Sequence, residues 1–229
     1  VPLITLALLI TYAHKYTWDR LAHAKGLHIA LGMAGAALFL VIPLVFLANI
    51  NLMLFPGRWT EVSGFGSALV LPNVWPRYFH FLTASVAITG LFLLLFFLRQ
   101  GCPIEAKLQT LDRRDLRRLF YGIALGATAL QLLFGPLVLL TLPGQGMSWT
   151  LIGIILIGVV FALWAMHLMW GEITTDRARL MPRAALVFAL ITLTAFAMGY
   201  GRHVYREQAI AEHRARMAEH TRDMGWLAA

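Results

Sequence analysis

Five long apolar stretches dominate this chain: residues 27–53, 76–98, 118–142, 149–171 and 183–202. Each exceeds or approaches the roughly 20 residues that carry an α-helix across a bilayer. In hydrocarbon every backbone amide must be satisfied within the segment, which leaves helices as the structure for such stretches. The expected fold is therefore all-α: a polytopic transmembrane helix bundle with five full spans. A sixth stretch, Pro2 to Ala13, is too short to span and reads as the end of a helix that begins upstream, a truncated N-terminal helix.

Composition agrees. Hydrophobic residues make up 59% of 229 and charged residues 13%, against about 25% charged in soluble domains. The net charge of +8 is no nucleic-acid signature, because the basic residues sit between spans. Lys15, Arg20 and Lys25 fall in the first connection. Arg99, Lys107, Arg113, Arg114, Arg117 and Arg118 fall in or beside the third, and Arg177, Arg179 and Arg183 in the fifth. The second connection carries Arg58 and Glu61 alone, and the fourth, Pro143 to Ser148, carries no charge. The positive-inside rule puts connections one, three and five in the cytoplasm. Residues 1–202 then form the transmembrane domain, and 203–229 an extramembrane helical tail outside. The single cysteine, Cys102, excludes an internal disulfide and a Cys-x-x-Cys-His haem attachment.

His80 is the sharpest chemical feature. An ionisable group inside a span is costly and points to function, and imidazole is a haem-iron ligand. Thr83, Ala84, Ala87 and Gly90 follow it on one small face, which suits either a flat macrocycle or a closely packed helix. His28 heads a similar face, Gly32, Gly35 and Ala36. By depth, His80 and His203 lie toward the outer surface, and His14, His28 and His167 toward the inner. Two stacked b haems, one near each face, would fit that division. Gly122 and Gly126 read as a helix-contact pair. Asn49 and Asn51 are polar residues near a span end, open to lining a site or to packing. Trp59 and Trp75 read as belt residues. No span carries a buried acid in this reading, which leaves a proton-coupled transporter without a carrier.

The residues also resemble a family. Tyr16-Thr17-Trp18-Asp19-Arg20-Leu21 with His28, then Ala48-Asn49, Met53 and Pro56-Gly57, is similar to the third and fourth helices of cytochrome bd quinol oxidase subunit I. Arg77-Tyr78-Phe79-His80 followed by Ala84 and Thr89-Gly90 resembles that family's fifth helix, whose histidine ligates the low-spin haem b. Arg183-Ala184-Ala185-Leu186 and Tyr200-Gly201-Arg202 resemble the two ends of a late helix. Departures are equally clear. The family's paired glutamates have no counterpart between Pro2 and Ala13, and Gly199 stands where an oxygen-site glutamate would. The quinol loop shrinks to Leu142–Ser148.

The resemblance implies a membrane cytochrome b of the respiratory chain, in a bacterial inner (plasma) membrane, that has lost the oxygen site. It would carry one or two b haems and exchange electrons between quinone or quinol and a partner redox subunit. That partner would be an extracytoplasmic cytochrome or an iron–sulfur protein. Its candidate ligands are His80, His28, His167, His203 and His14, with Arg77 placed to meet a haem propionate or a quinol oxygen. Quinol chemistry would sit in the outer connection from Phe55 to Trp75. Trp164 to Met169 resembles the segment holding the family's second ligand, a methionine. Met169 lies near the inner end of its span and His80 near the outer end of its own, roughly 20 Å apart in depth, too far to share one iron. Two other readings remain open: a haem-free membrane anchor of a larger complex, and a piece of a divergent terminal oxidase.

Overall fold

The computed structural model describes residues 2–98, 112–175 and 181–223, and every regular element in them is a helix. The expectations resting on Arg99, Cys102, Lys107, Arg177 and Arg179 fall outside the described residues. In chain order the α-helices are α1 (Pro2–Tyr16), α2 (Lys25–Met53), α3 (Phe65–Ala68), α4 (Val74–Leu98), α5 (Arg113–Leu140), α6 (Trp149–Thr174), α7 (Met181–Ala209) and α8 (Ala211–Asp223). Short 3-10 turns lie at Pro56–Arg58 and Gly144–Gly146. Five helices, α2, α4, α5, α6 and α7, are long and apolar enough to cross a membrane, which makes this a multi-pass membrane protein. They coincide with the five expected spans to within a few residues at most ends. The exceptions are α5, which begins five residues earlier than expected, and α7, which continues seven residues past 202 to Ala209. The tail beyond it is helical through Asp223.

The chain divides into two compact units, Val1–Tyr78 and Phe79–Ala229. In the first unit α1 packs along α2. The small face of α2 receives α1: Gly35 lies against Ile10 and Thr11, and Gly32 against the ring of His14. Pro43 lies inside α2 and removes one intrahelical donor. One turn before it, the Tyr78 hydroxyl donates to the Leu40 carbonyl at 3.0 Å. Ala48, Ala68, Leu71 and Val74 form a small core under the connection between α2 and α4.

In the second unit α4, α5, α6 and α7 enclose one apolar core. Leu91, Leu94 and Leu98 meet Leu116, Phe120 and Tyr121, with Met169 and Val187 from the later helices. A Cβ on Gly90 would stand 3.1 Å from the Phe120 carbonyl oxygen and 3.3 Å from the Ala124 backbone nitrogen, so α4 and α5 cross backbone to backbone there. Helix ends are capped by side chains: Asp112 accepts from the Asp115 N–H at 2.8 Å, and Ser148 from the Leu151 N–H at 3.2 Å. At the far end Tyr205 donates to the Pro143 carbonyl at 2.9 Å, fastening the α5–α6 connection to the end of α7.

Two expectations are corrected. Within the second unit, among the described residues, nothing lies within 4 Å of a Cβ on Gly122 or Gly126, so no helix of that unit packs on this small pair. The spans do contain a buried acid. Glu172, near the end of α6, is 0% exposed. The apolar run expected to span ends at residue 171, one residue short of it.

Candidate functional site

His80 sits on the second turn of α4, half-buried, and its Nδ1 is buried without a hydrogen-bond partner. Its Cε1 lies 3.8 Å from where a Cβ on Gly135 would be, an ordinary van der Waals distance that places the imidazole beside α5. Gly135 precedes Pro136, which interrupts the hydrogen-bond ladder of α5 at that level. The Thr83 hydroxyl donates to the Phe79 and His80 carbonyls, both at 3.0 Å, and is therefore spent on its own helix. The small face running down from His80 belongs to helix packing at its lower end: Ala87 is buried and Gly90 is pressed on α5.

Alongside this face a groove of about 400 Å³ runs between α4 and α5. Phe79, Leu82 and Val86 line one wall and Ile123, Leu130 and Phe134 the other. The Phe79 and Phe134 rings stack at its upper end, centroids 5.6 Å apart.

In the first unit the structure brings His14 and His28 together. Their rings stack with centroids 4.0 Å apart and 20° between planes. His14 Nδ1 lies 3.1 Å from the His28 carbonyl oxygen, to which it donates. Both ring nitrogens of His28 are buried without a hydrogen-bond partner. Trp18 meets the His28 ring edge-on at 4.9 Å.

These residues fit a haem unequally. Single imidazoles with buried, unpartnered nitrogens have the donor chemistry for axial ligation. The His14–His28 stack does not bracket an iron. With metal–nitrogen bonds of about 2.0 Å, two trans imidazoles stand on the order of 6 Å apart, centroid to centroid. The His14 ring also fills the space above Gly32 that a macrocycle would need, 3.0 Å from a Cβ there. His28 and His80 remain as separate candidates.

The other expected residues are placed as follows. His167 is exposed on α6 between exposed Trp164 and Trp170. His203 is exposed near the end of α7, and Arg77 is half-buried in the first turn of α4. Met169 is 0% exposed in the apolar core with Leu98 and Leu116, at the opposite end of the second unit from His80. Asn51 is 0% exposed with neither amide atom hydrogen-bonded, whereas Asn49 is exposed. Trp59 donates its indole N–H to the Leu52 carbonyl at 2.9 Å and stays half-exposed, as a belt residue does.

Sequence reasoning missed one polar cluster. Glu172 is flanked by Arg183 at 3.3 Å and by buried Arg117 at 3.8 Å. Arg117 and Arg118 also donate to the Thr175 and Ile173 carbonyls, 3.3 and 3.2 Å away, closing the end of α6. The three charged residues come from α5, α6 and α7 and lie 55 and 11 positions apart in sequence. The signal available was topological: in an up-and-down bundle the start of α5, the end of α6 and the start of α7 share one face. No protein-family model, curated protein or solved structure matches the chain.

Proposed function

We propose that this chain is a haem b-binding membrane subunit that passes electrons between the quinone pool and a partner redox subunit. The supporting observation is the pair of orphaned imidazoles. Both ring nitrogens of His28 and the Nδ1 of His80 are buried, on helices long and apolar enough to cross a membrane, with no hydrogen-bond partner among the described residues. Buried polar groups are normally hydrogen-bonded, so each exception calls for a missing partner. Iron is one that imidazole takes.

In this reading His80 would hold one haem and His28 would hold a second. Bound haem supplies reversible one-electron transfer; the protein supplies position and surroundings. Apolar neighbours exclude water. Quinol chemistry belongs at the outer side, by the connection from Phe55 to Trp75, with the buried Asn51 amide near the end of α2 and Arg77 in the first turn of α4. The partner is an extracytoplasmic cytochrome or iron–sulfur protein, and the setting is a bacterial inner membrane.

A haem-free membrane anchor is the competing reading. Its support is that both small faces are filled by helices, Gly32 and Gly35 by α1 and Gly90 by α5. Anaerobic addition of a quinol to the purified chain separates the two. The cytochrome reading requires a reduced b-type α-band that is diminished by His80→Ala. An anchor shows no band in either protein.

A further inference from the structure

We infer that a water molecule binds among Tyr121, Glu172 and Arg117, inside the second unit at the end of α6. The site is independent of the cytochrome reading: it involves neither His80 nor His28, and it stands or falls without haem.

Two polar atoms here are buried and have no hydrogen-bond partner among the described residues: the Tyr121 hydroxyl oxygen and Glu172 Oε2. Both residues are 0% exposed. Helix geometry brings them to one level. Tyr121 stands one turn beyond Arg117 on the same face of α5. A long side chain on a helix leans back toward the helix start, which carries the hydroxyl toward the level of Arg117. Tyr121 packs in one core cluster with Met169, and Met169 is one turn before Glu172 on α6. The charges of Glu172, Arg117 and Arg183 all act on the tyrosine hydroxyl. The two ion pairs of Glu172 are unequal. Arg183 Nη1 donates to Oε1 at 3.3 Å, whereas Arg117 Nη1 stands 3.8 Å from Oε2, beyond hydrogen-bond reach. A polar contact at that separation is one that a bridging water completes.

The chemistry of the three groups selects the ligand. Two guanidinium groups repel a cation. An anion would lie against the Glu172 carboxylate and has no proton to give Oε2. A carboxylate oxygen accepts only, a guanidinium donates only, and a tyrosine hydroxyl does both. A neutral molecule that donates and accepts therefore serves all three at once. Three hydrogen bonds are what a buried water typically makes. Atoms this enclosed admit a molecule of water's size and no larger polar ligand. The bound water supplies the further hydrogen bonding that a buried ion pair needs to offset its desolvation. It lets Glu172, the one buried acid among the described residues, hold α5 and α7 against α6 while charged.

The test uses the full chain in lipid nanodiscs. Hydroxyl radicals made by a brief X-ray pulse form at bound water and oxidise the side chain beside it. Tyr121 should be oxidised despite its burial. Tyr205 should stay unmodified, being similarly buried with its hydroxyl given directly to the Pro143 carbonyl, and exposed Tyr16 reports full reaction. A Tyr121 as unreactive as Tyr205 overturns the inference. Tyr121→Phe supplies a sign. Loss of a hydrogen bond to a held water should lower the thermal midpoint by about 2–4 °C. A dry hydroxyl without a partner costs stability where it stands, so a midpoint raised by Tyr121→Phe also overturns the inference. Exchange of chloride for gluconate at equal ionic strength separates water from a bound anion. The midpoint and the Tyr121 oxidation should both be unchanged. A midpoint that rises with chloride, and loses that dependence in Tyr121→Phe, overturns the water in favour of an anion.

Discussion

At the residue scale, the chain places its few buried polar groups in two different ways. Glu172 is compensated: Arg117 and Arg183 stand on either side of it, and two arginines close the adjoining helix end. Removing one member of such a buried pair strands the other charge, at a typical cost of about 3–5 kcal/mol. Glu172→Leu is accordingly expected to lower the thermal unfolding midpoint in detergent sharply. Arg183→Ala should cost far less, because that side chain is 37% exposed and screened. Equal effects would show that the cluster does not act as a buried pair. His28, His80 and Asn51 have buried polar atoms with no hydrogen-bond partner and no opposite charge beside them among the described residues, whereas Glu172, whose Oε2 also lacks a hydrogen bond, is matched in charge. The histidines were legible as anomalies in the sequence because ionisable residues are rare inside apolar runs. The pairing of residues 117, 172 and 183 was not, because no local spacing connects three positions on three helices.

At the element scale, the small faces were legible and their occupants were not. A run of Gly and Ala at helical spacing announces a close approach, but a macrocycle and a neighbouring helix impose the same residue sizes. The structure assigns Gly32 and Gly35 to α1 and Gly90 to α5, and leaves Gly122 and Gly126 uncovered within the second unit, among the described residues. This yields a contrast between chemically identical substitutions. Gly90→Ala puts a methyl against the Phe120 and Ala124 backbone and should destabilise by about 1–3 kcal/mol, as overpacking does. Gly122→Ala and Gly126→Ala meet nothing and should be neutral or stabilising by up to about 1 kcal/mol through helix propensity. Thermal melts followed by circular dichroism would rank them. The reverse order would contradict the α4–α5 crossing. Tyr205→Phe tests the fastening of the α5–α6 connection to α7, with a loss of about 1 kcal/mol for the bond to Pro143.

At the scale of the whole molecule, the spans were readable because a bilayer sets one length for every helix that crosses it, and 18-residue apolar windows are hard to disguise. The arrangement of the helices was not readable, since apolar faces of similar composition do not say which neighbour each one takes. Orientation still rests on loop charge. Single cysteines in a Cys102→Ser background test it: Arg20→Cys should react with an impermeant maleimide from the cytoplasmic side alone, and Glu61→Cys and Gly144→Cys from the opposite side alone. The reverse pattern would turn the protein over and move His80 to the inner face.

The central claim is that His80 holds a haem, and a pyridine haemochrome assay with haem-to-protein stoichiometry, on the native chain and on His80→Ala and His28→Ala, tests it most directly. The account predicts haem b in the native protein, with one equivalent lost in His80→Ala while the helical circular-dichroism signal is retained. A second equivalent lost in His28→Ala would establish a haem near each face. Haem content unchanged in His80→Ala, or no haem in the native chain, would contradict the account and leave the membrane anchor.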